Sequence, residues 1–319
     1  RPDMKDLIEE INSTFMTRTT DIAAQRQIWD KLSAQFKPGI NQYRTARPST
    51  VIARETGDMG LSVLWIVQSM LIRPLLSDIT LNAEITEKIS SILSSIDNGT
   101  ICALANSENN TEPVVYEEEE GNIIINGEKK FITAGANADL IIVTCRKKGE
   151  EKVSGTALIE KKNIPDDALI DLNLNIFKTV NHSRLSLVDF KSEKSILPEI
   201  DPQVLRKSLK KWGIIERSLI MESFISYLIY ANRIFTSKDI ILVQEGELID
   251  LQNLQTDSAN RQIEEALYSK MIETKNIDAA AIFKILQKFR EKFNSSPGFF
   301  SEEEKNRFAD LSLFDSLKG

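Results

Sequence analysis

The apolar residues of this chain change period twice. From residue 4 to 96 they recur with helical spacing, as in Ile85, Ile89, Ile92 and Ile96, and Asn98-Gly99 supplies a stop. From about residue 100 to 197 the pattern shortens to strand-like runs at 101–104, 114–116, 123–125, 140–145, 156–159 and 185–190, separated by Asn-Gly, Ala-Gly, Ser-Gly and Pro-Asp turn signals. After Ile200 the helical period returns in a long segment over 204–235, with Asp201 or Pro202 suited to its start. Two further helices are predicted over 245–274 and 278–293, and the tail after Gly298 reads as short and charged. The order predicts an α+β multidomain fold: an N-terminal helical domain (1–99), a central β-barrel domain (100–198) and a C-terminal helical bundle (199–319). At 319 residues the chain is long enough for two or three cores.

The most specific stretch lies in the β region and runs Asn126-Gly127-Glu128-Lys129-Lys130-Phe131-Ile132-Thr133-Ala134-Gly135-Ala136-Asn137-Ala138-Asp139. Strand-like residues 121–125 and 140–145 flank it. Asn126-Gly127 reads as one turn and Ala134-Gly135 as a second, both at residues that tolerate unusual φ.

Composition excludes several function classes. The net charge of −7 argues against a nucleic-acid footprint, since phosphate binding wants a basic surface, and an anionic ligand would need a local basic pocket. The longest uncharged run, 59–72, is short of the roughly 20 residues a membrane helix needs, so no membrane span is expected, and no secretory signal is visible. Cys102 and Cys145 sit in apolar, strand-like settings, which predicts buried thiols in a reducing compartment and a cytoplasmic location. A single histidine, His182, rules out a His-based metal cluster, and it reads as a surface loop residue; no metal ligands are assigned. Glu117 to Glu120 read as a solvated hairpin tip.

The segment around Phe131 resembles the flavin-contacting signature of the acyl-CoA dehydrogenase family, an Asn-Gly-x-Lys-x-(Phe/Trp)-Ile-Thr-Asn-Gly-x-x-Ala-Asp pattern. Three other landmarks fall in order: residues 89–104 resemble the family's helix, turn and first barrel strand; Leu185 to Phe190 with Ile196-Leu197 its exit from the barrel; and Tyr230-Ala231-Asn232-Arg233-Ile234-Phe235 the close of its long helix. The resemblance covers roughly residues 45–275 and is that of a shortened, divergent member. It implies a helix–barrel–helix fold, FAD as cofactor, and removal of two hydrogens across Cα and Cβ of an acyl thioester of CoA or acyl carrier protein. In that chemistry a carboxylate takes the Cα proton while flavin N5 takes the Cβ hydride. Phe131 then packs on the flavin and Thr133 lies near its N5 and O4; the alternative for both is a plain β-core role.

Departures from the pattern are as informative. Where the family has a Thr-Glu-Pro-Gly-x-Gly-Ser-Asp stretch, this chain has Ala105-Asn106-Ser107-Glu108-Asn109-Asn110-Thr111; the glycines are gone, Ala105 lacks the hydroxyl, and Thr111 stands in for the Ser. The family Arg that reaches a neighbour's flavin falls on Asn232, with Arg233 one residue off. No Tyr-Glu-Gly-Thr loop follows Phe235, and the family's alternative base position falls on Arg206, beside Lys207. Glu216, first, and Glu222 on the long helix are the candidate bases; the alternative is that both belong to its solvated face. Arg206, Lys207, Lys210 and Lys211 form either a solubilising face or a patch for CoA phosphates or a phosphopantetheine-carrying protein. Three functions follow: an acyl-CoA dehydrogenase-like flavoprotein with a non-standard base, a catalytically degenerate partner subunit or binding module, or a flavin-dependent monooxygenase. Little ordinary acyl-CoA dehydrogenation is expected, and the apolar long helices predict a homo- or hetero-oligomer.

Overall fold

The computed structural model describes residues 4–39, 47–80, 86–108, 112–268 and 279–318, with side chains to 313. The expectations for Ile85, for Thr111 and for residues 269–278 lie outside the described residues. Helices precede and follow a single group of strands, the order the apolar period predicts. The first group is α1 (Met4–Ser13), α2 (Phe15–Arg18), α3 (Ile22–Gln35), α4 (Pro48–Thr56), α5 (Met59–Ile66), a π segment (Val67–Ile72), α6 (Arg73–Thr80) and α7 (Thr86–Asp97). The strands are β1 (Cys102–Ala105), β2 (Val115–Glu119), β3 (Asn122–Thr133), β4 (Leu140–Lys147), β5 (Gly155–Glu160), β6 (Leu169–Asp171) and β7 (His182–Glu193). The last group is α8 (Pro202–Ser237), α9 (Glu245–Leu267), α10 (Ala279–Ser295) and α11 (Glu302–Phe308).

The strands form a curled sheet in the order β1-β4-β2-β3-β7-β6, and β5 pairs antiparallel with β4 off this path. Among the described residues β6 pairs only with β7, so the β-barrel domain of the sequence reading takes the form of an open half-barrel. A three-residue β6 offers too few ladder bonds to carry the closure. The Asn-Gly turn is also corrected: β3 runs through Asn126-Gly127 as a bulge, with a register shift against β7 and φ +133 at Gly127. A Cβ at that glycine would lie 2.7 Å from Val114 Cα. The reversal comes earlier, at Glu120-Gly121, whose φ values of 48 and 85 suit a two-residue hairpin turn. Glu117 to Glu119 therefore lie on β2, each facing a lysine (Lys148, Lys194 and Lys191) rather than forming a solvated tip.

The helical stretch Met59–Thr80 is 22 residues long and its most apolar 18-residue window has mean hydropathy 1.5, so it extends past the uncharged run and is enough to cross a membrane by those criteria alone. Its most apolar window is 94% buried in the protein, so core packing accounts for its composition. Pro74 lacks the N–H of a regular turn and its ring crowds the carbonyl four residues back, and the widened π segment precedes it. Gln68 in that segment mimics a neighbouring strand: its amide donates to Cys102 O at 2.6 Å and accepts from Cys102 N at 3.0 Å. The helix is thereby pinned to β1.

Helix α8 begins as the sequence predicts, with Asp201 accepting from Gln203 N and Pro202 in the first turn. The tail does not behave as a charged appendage. A capping box at Ser301 and Glu304 starts α11, and Phe300 and Phe308 pack with Phe235, Phe289 and Phe293 at ring distances of 4.8 to 5.7 Å.

Candidate functional site

A cleft of about 460 Å³ opens between the sheet and the helices. One wall is β3, where Phe131 and Thr133 share a face and Ile132 between them points into the core. Phe131 is 59% exposed and sits at φ 57, a left-handed backbone that costs an L-residue about 1–2 kcal/mol. A large aromatic held exposed and strained has no packing reason in the core and faces the cleft instead. The floor is made by Leu104 and by Asn106 and Ser107, just after β1, with Val67 and Leu71 from the π segment. The opposite wall is α8, whose Leu209, Lys210, Gly213, Glu216 and Arg217 follow helical spacing along one face.

Beneath the floor, Lys129 is buried and holds the chain after β1: Nζ donates to Glu108 at 2.5 Å, to Thr144 Oγ1 at 3.0 Å and to Asn106 O at 3.3 Å. Arg146 adds a bond to the other Glu108 oxygen at 2.8 Å. Burial alone would raise the Glu108 carboxyl, but the bonds from Lys129, Val114 N and Arg146 hold it below its usual value.

Glu216 differs from every other acid near the cleft. It is half-buried, and among the described residues it has neither a hydrogen bond nor an ion pair. Burial pushes its carboxyl up to about 7, with the neighbouring Arg217 charge opposing. A carboxyl that titrates near neutrality, unpaired and in a cleft, is suited to accept or give a proton. Glu222, the other candidate, is 1% exposed and accepts from Arg47 Nε at 2.9 Å, against a separate cavity of about 300 Å³. It is a structural ion pair and not a base for this cleft.

The sequence-predicted residues thus separate. Phe131, Thr133 and Glu216 come together. Arg206 turns away and donates to Val153 O at 2.8 Å; ten residues before Glu216, it lies about 15 Å back along the helix. Arg233 is about 25 Å along the helix from Glu216 and pairs with Glu245 at 2.7 Å and Glu55 at 3.9 Å, so this chain does not bring it to the cleft. The basic cluster is split: Lys211 pairs with Asp78 at 2.5 Å, while Lys210 lines the cleft. His182 is not a surface residue; it starts β7, stacks on Phe177 at 5.9 Å, and burial lowers it to about 4, which keeps it neutral. Cys102 and Cys145 are free and buried, and burial raises both thiols to about 12. Sequence reasoning missed the cleft roles of Gly213 and Arg217, and read Asn106 and Ser107 only as part of the stretch that replaces the family's glycine-containing segment. A glycine in the interior of a long helix was the one available signal.

No family model matches the chain, and no curated protein does. Solved structures do. The chain superposes on butyryl-CoA dehydrogenase from Megasphaera elsdenii with a TM-score of 0.65 at 14% identity, covering 99% of this chain and 94% of that one. A glutaryl-CoA dehydrogenase from Mycobacterium smegmatis in complex with FADH2 gives 0.64 at 12%, covering 100% and 91%. The prolyl acyl carrier protein oxidase AnaB gives 0.63 at 15%, covering 98% and 93%. At these identities the likeness is one of fold, and the chain has the acyl-CoA dehydrogenase fold nearly end to end, further than the stretch that carries the sequence motifs.

Proposed function

We propose that this protein is an acyl-CoA dehydrogenase-like flavoprotein that binds FAD in the cleft and acts on an acyl thioester of CoA or acyl carrier protein. The observation that carries the reading is the meeting of Phe131 and Thr133 from β3 with an unpaired Glu216 from α8 around one cavity. The volume is in the range of cofactor and small-ligand sites. The donor set suits a flat, heteroatom-rimmed ring: an exposed aromatic face at Phe131, a hydroxyl at Thr133, and polar side chains at Asn106 and Ser107. A bound flavin would supply the hydride acceptor. Glu216 takes the Cα proton, and Lys210 and Arg217 give the same wall positive charge. The solved neighbours support this by their names, which include two CoA thioester dehydrogenases and a carrier-protein oxidase.

A second reading, a partner subunit without its own chemistry, is favoured by the loss of glycines over 105–111 and by the in-chain pairing of Arg233. The visible spectrum of the purified protein separates the two. Flavin bands that bleach on anaerobic addition of a saturated acyl thioester support the enzyme, and a colourless protein that takes up no added FAD contradicts it. We expect an oligomer as well, since Ile241 and Leu254 are exposed on the C-terminal helical side. A monomer by light scattering at micromolar concentration would count against that.

A further inference from the structure

Glycine weakens a helix interior relative to alanine, so a glycine that sits there answers to something outside the helix. Gly60, in the first turn of α5, has a packing reason: a Cβ would fall 2.3 Å from Thr179 Oγ1. Gly213 is the only glycine inside an α-helix, away from its ends, among the described residues, and it has no such reason. A Cβ there would meet only Arg217 Nη1, at an ordinary 3.8 Å. The space it would enter is the cleft. Gly213 precedes Glu216 by three residues, which puts the two positions on one face, about 5–6 Å apart.

We infer that Gly213 is a specificity-determining residue: the bare backbone of α8 beside Glu216 makes room for an acyl group that carries a substituent at Cα or Cβ, branched or cyclic. The inference rests on the thioester reading above and deepens it. The carboxyl that takes the Cα proton must lie against Cα, so the volume next to it is where such a branch goes. A side chain at 213 would fill that volume and leave space for straight chains only. One methylene in a fully apolar pocket is worth about 10- to 200-fold in discrimination, and the Arg217 guanidinium beside this space puts the expected effect at the lower end.

The test is calorimetric binding of two unreactive thioether analogues, S-butyl-CoA and S-(2-methylbutyl)-CoA, to the protein as purified and to Gly213→Leu and Gly213→Ala. Wild type binds both. Gly213→Leu binds the straight analogue within about threefold of wild type and the branched one at least tenfold more weakly. Gly213→Ala shows the same preference at about threefold and melts about 1–3 °C higher, which keeps the test available if the leucine variant fails to fold. Variants that weaken both analogues equally, or neither, overturn the inference while leaving the thioester reading intact. Wild type that binds neither analogue overturns that reading, and this inference with it.

Discussion

Glu216 and Glu222 lie six residues apart on the same helix and have opposite fates. Glu222 is sealed in the interior against Arg47, a partner 175 residues away in sequence, while Glu216 faces a cleft with no partner among the described residues. Burial of a carboxylate is tolerated where a guanidinium meets it; without one, the group keeps its proton to higher pH. The paired acid holds α8 to the start of α4, and the unpaired one is the proposed base. Both are the same residue type on one amphipathic pattern; burial and the Arg47 partner distinguish them.

The largest stability effect should come from breaking the paired side. Arg47→Met leaves Glu222 buried and uncompensated and should cost about 3–5 kcal/mol in urea unfolding. A loss below 1 kcal/mol would mean that water reaches Glu222 and that the contrast with Glu216 is overstated.

On the unpaired side the effect is smaller and depends on pH. Folded Glu216 holds its proton up to about 7, against an ordinary 4.5, so the folded state binds more protons between those values and stability falls as pH rises through that window. Glu216→Gln should therefore be more stable than wild type at pH 8 by on the order of 1 kcal/mol after solvent screening, with the gain gone near pH 4. Asp310, raised to about 7 by burial, keeps its own contribution in both proteins, so the informative quantity is the difference between them. Equal gains at pH 4 and pH 8 would remove the titration of Glu216 from the account.

Phe131 offers the mildest test. Glycine at 131 relieves the left-handed backbone and removes an aromatic face that is already largely exposed. Phe131→Gly should raise or preserve the melting temperature while weakening FAD about three- to tenfold, the scale of one aromatic stacking contact. A fall in melting temperature with unchanged FAD affinity would make Phe131 a packing residue.

The sequence carries the coarse fold because apolar period is local: the strands around 101–145 and the cap of α8 at Asp201-Pro202 need no distant partner to be read. Phe131 and Thr133 are legible for the same reason, being two positions of one strand. What depends on distant contacts was not. Gln68 bonding Cys102, Arg47 meeting Glu222, and Phe300 and Phe308 closing on Phe235 join residues far apart, and nothing in the local pattern marks them. Asn126-Gly127 misled because the features that favour a turn also favour a bulge, and only pairing with β7 decides between them. Arg206 misled because counting residues back from Phe235 fixes a place on the helix but not the direction its side chain takes.

Whether Glu216 is the base of a flavin-bearing cleft is read from the single-turnover rate of flavin reduction by a saturating acyl thioester as a function of pH, in wild type and Glu216→Gln. The wild-type rate should rise about tenfold per pH unit below an apparent value near 7 and then level, and the variant should be slower by about a hundred- to ten-thousandfold without that rise. Reduction of the variant at the wild-type rate, with the same pH profile, would contradict that role for Glu216.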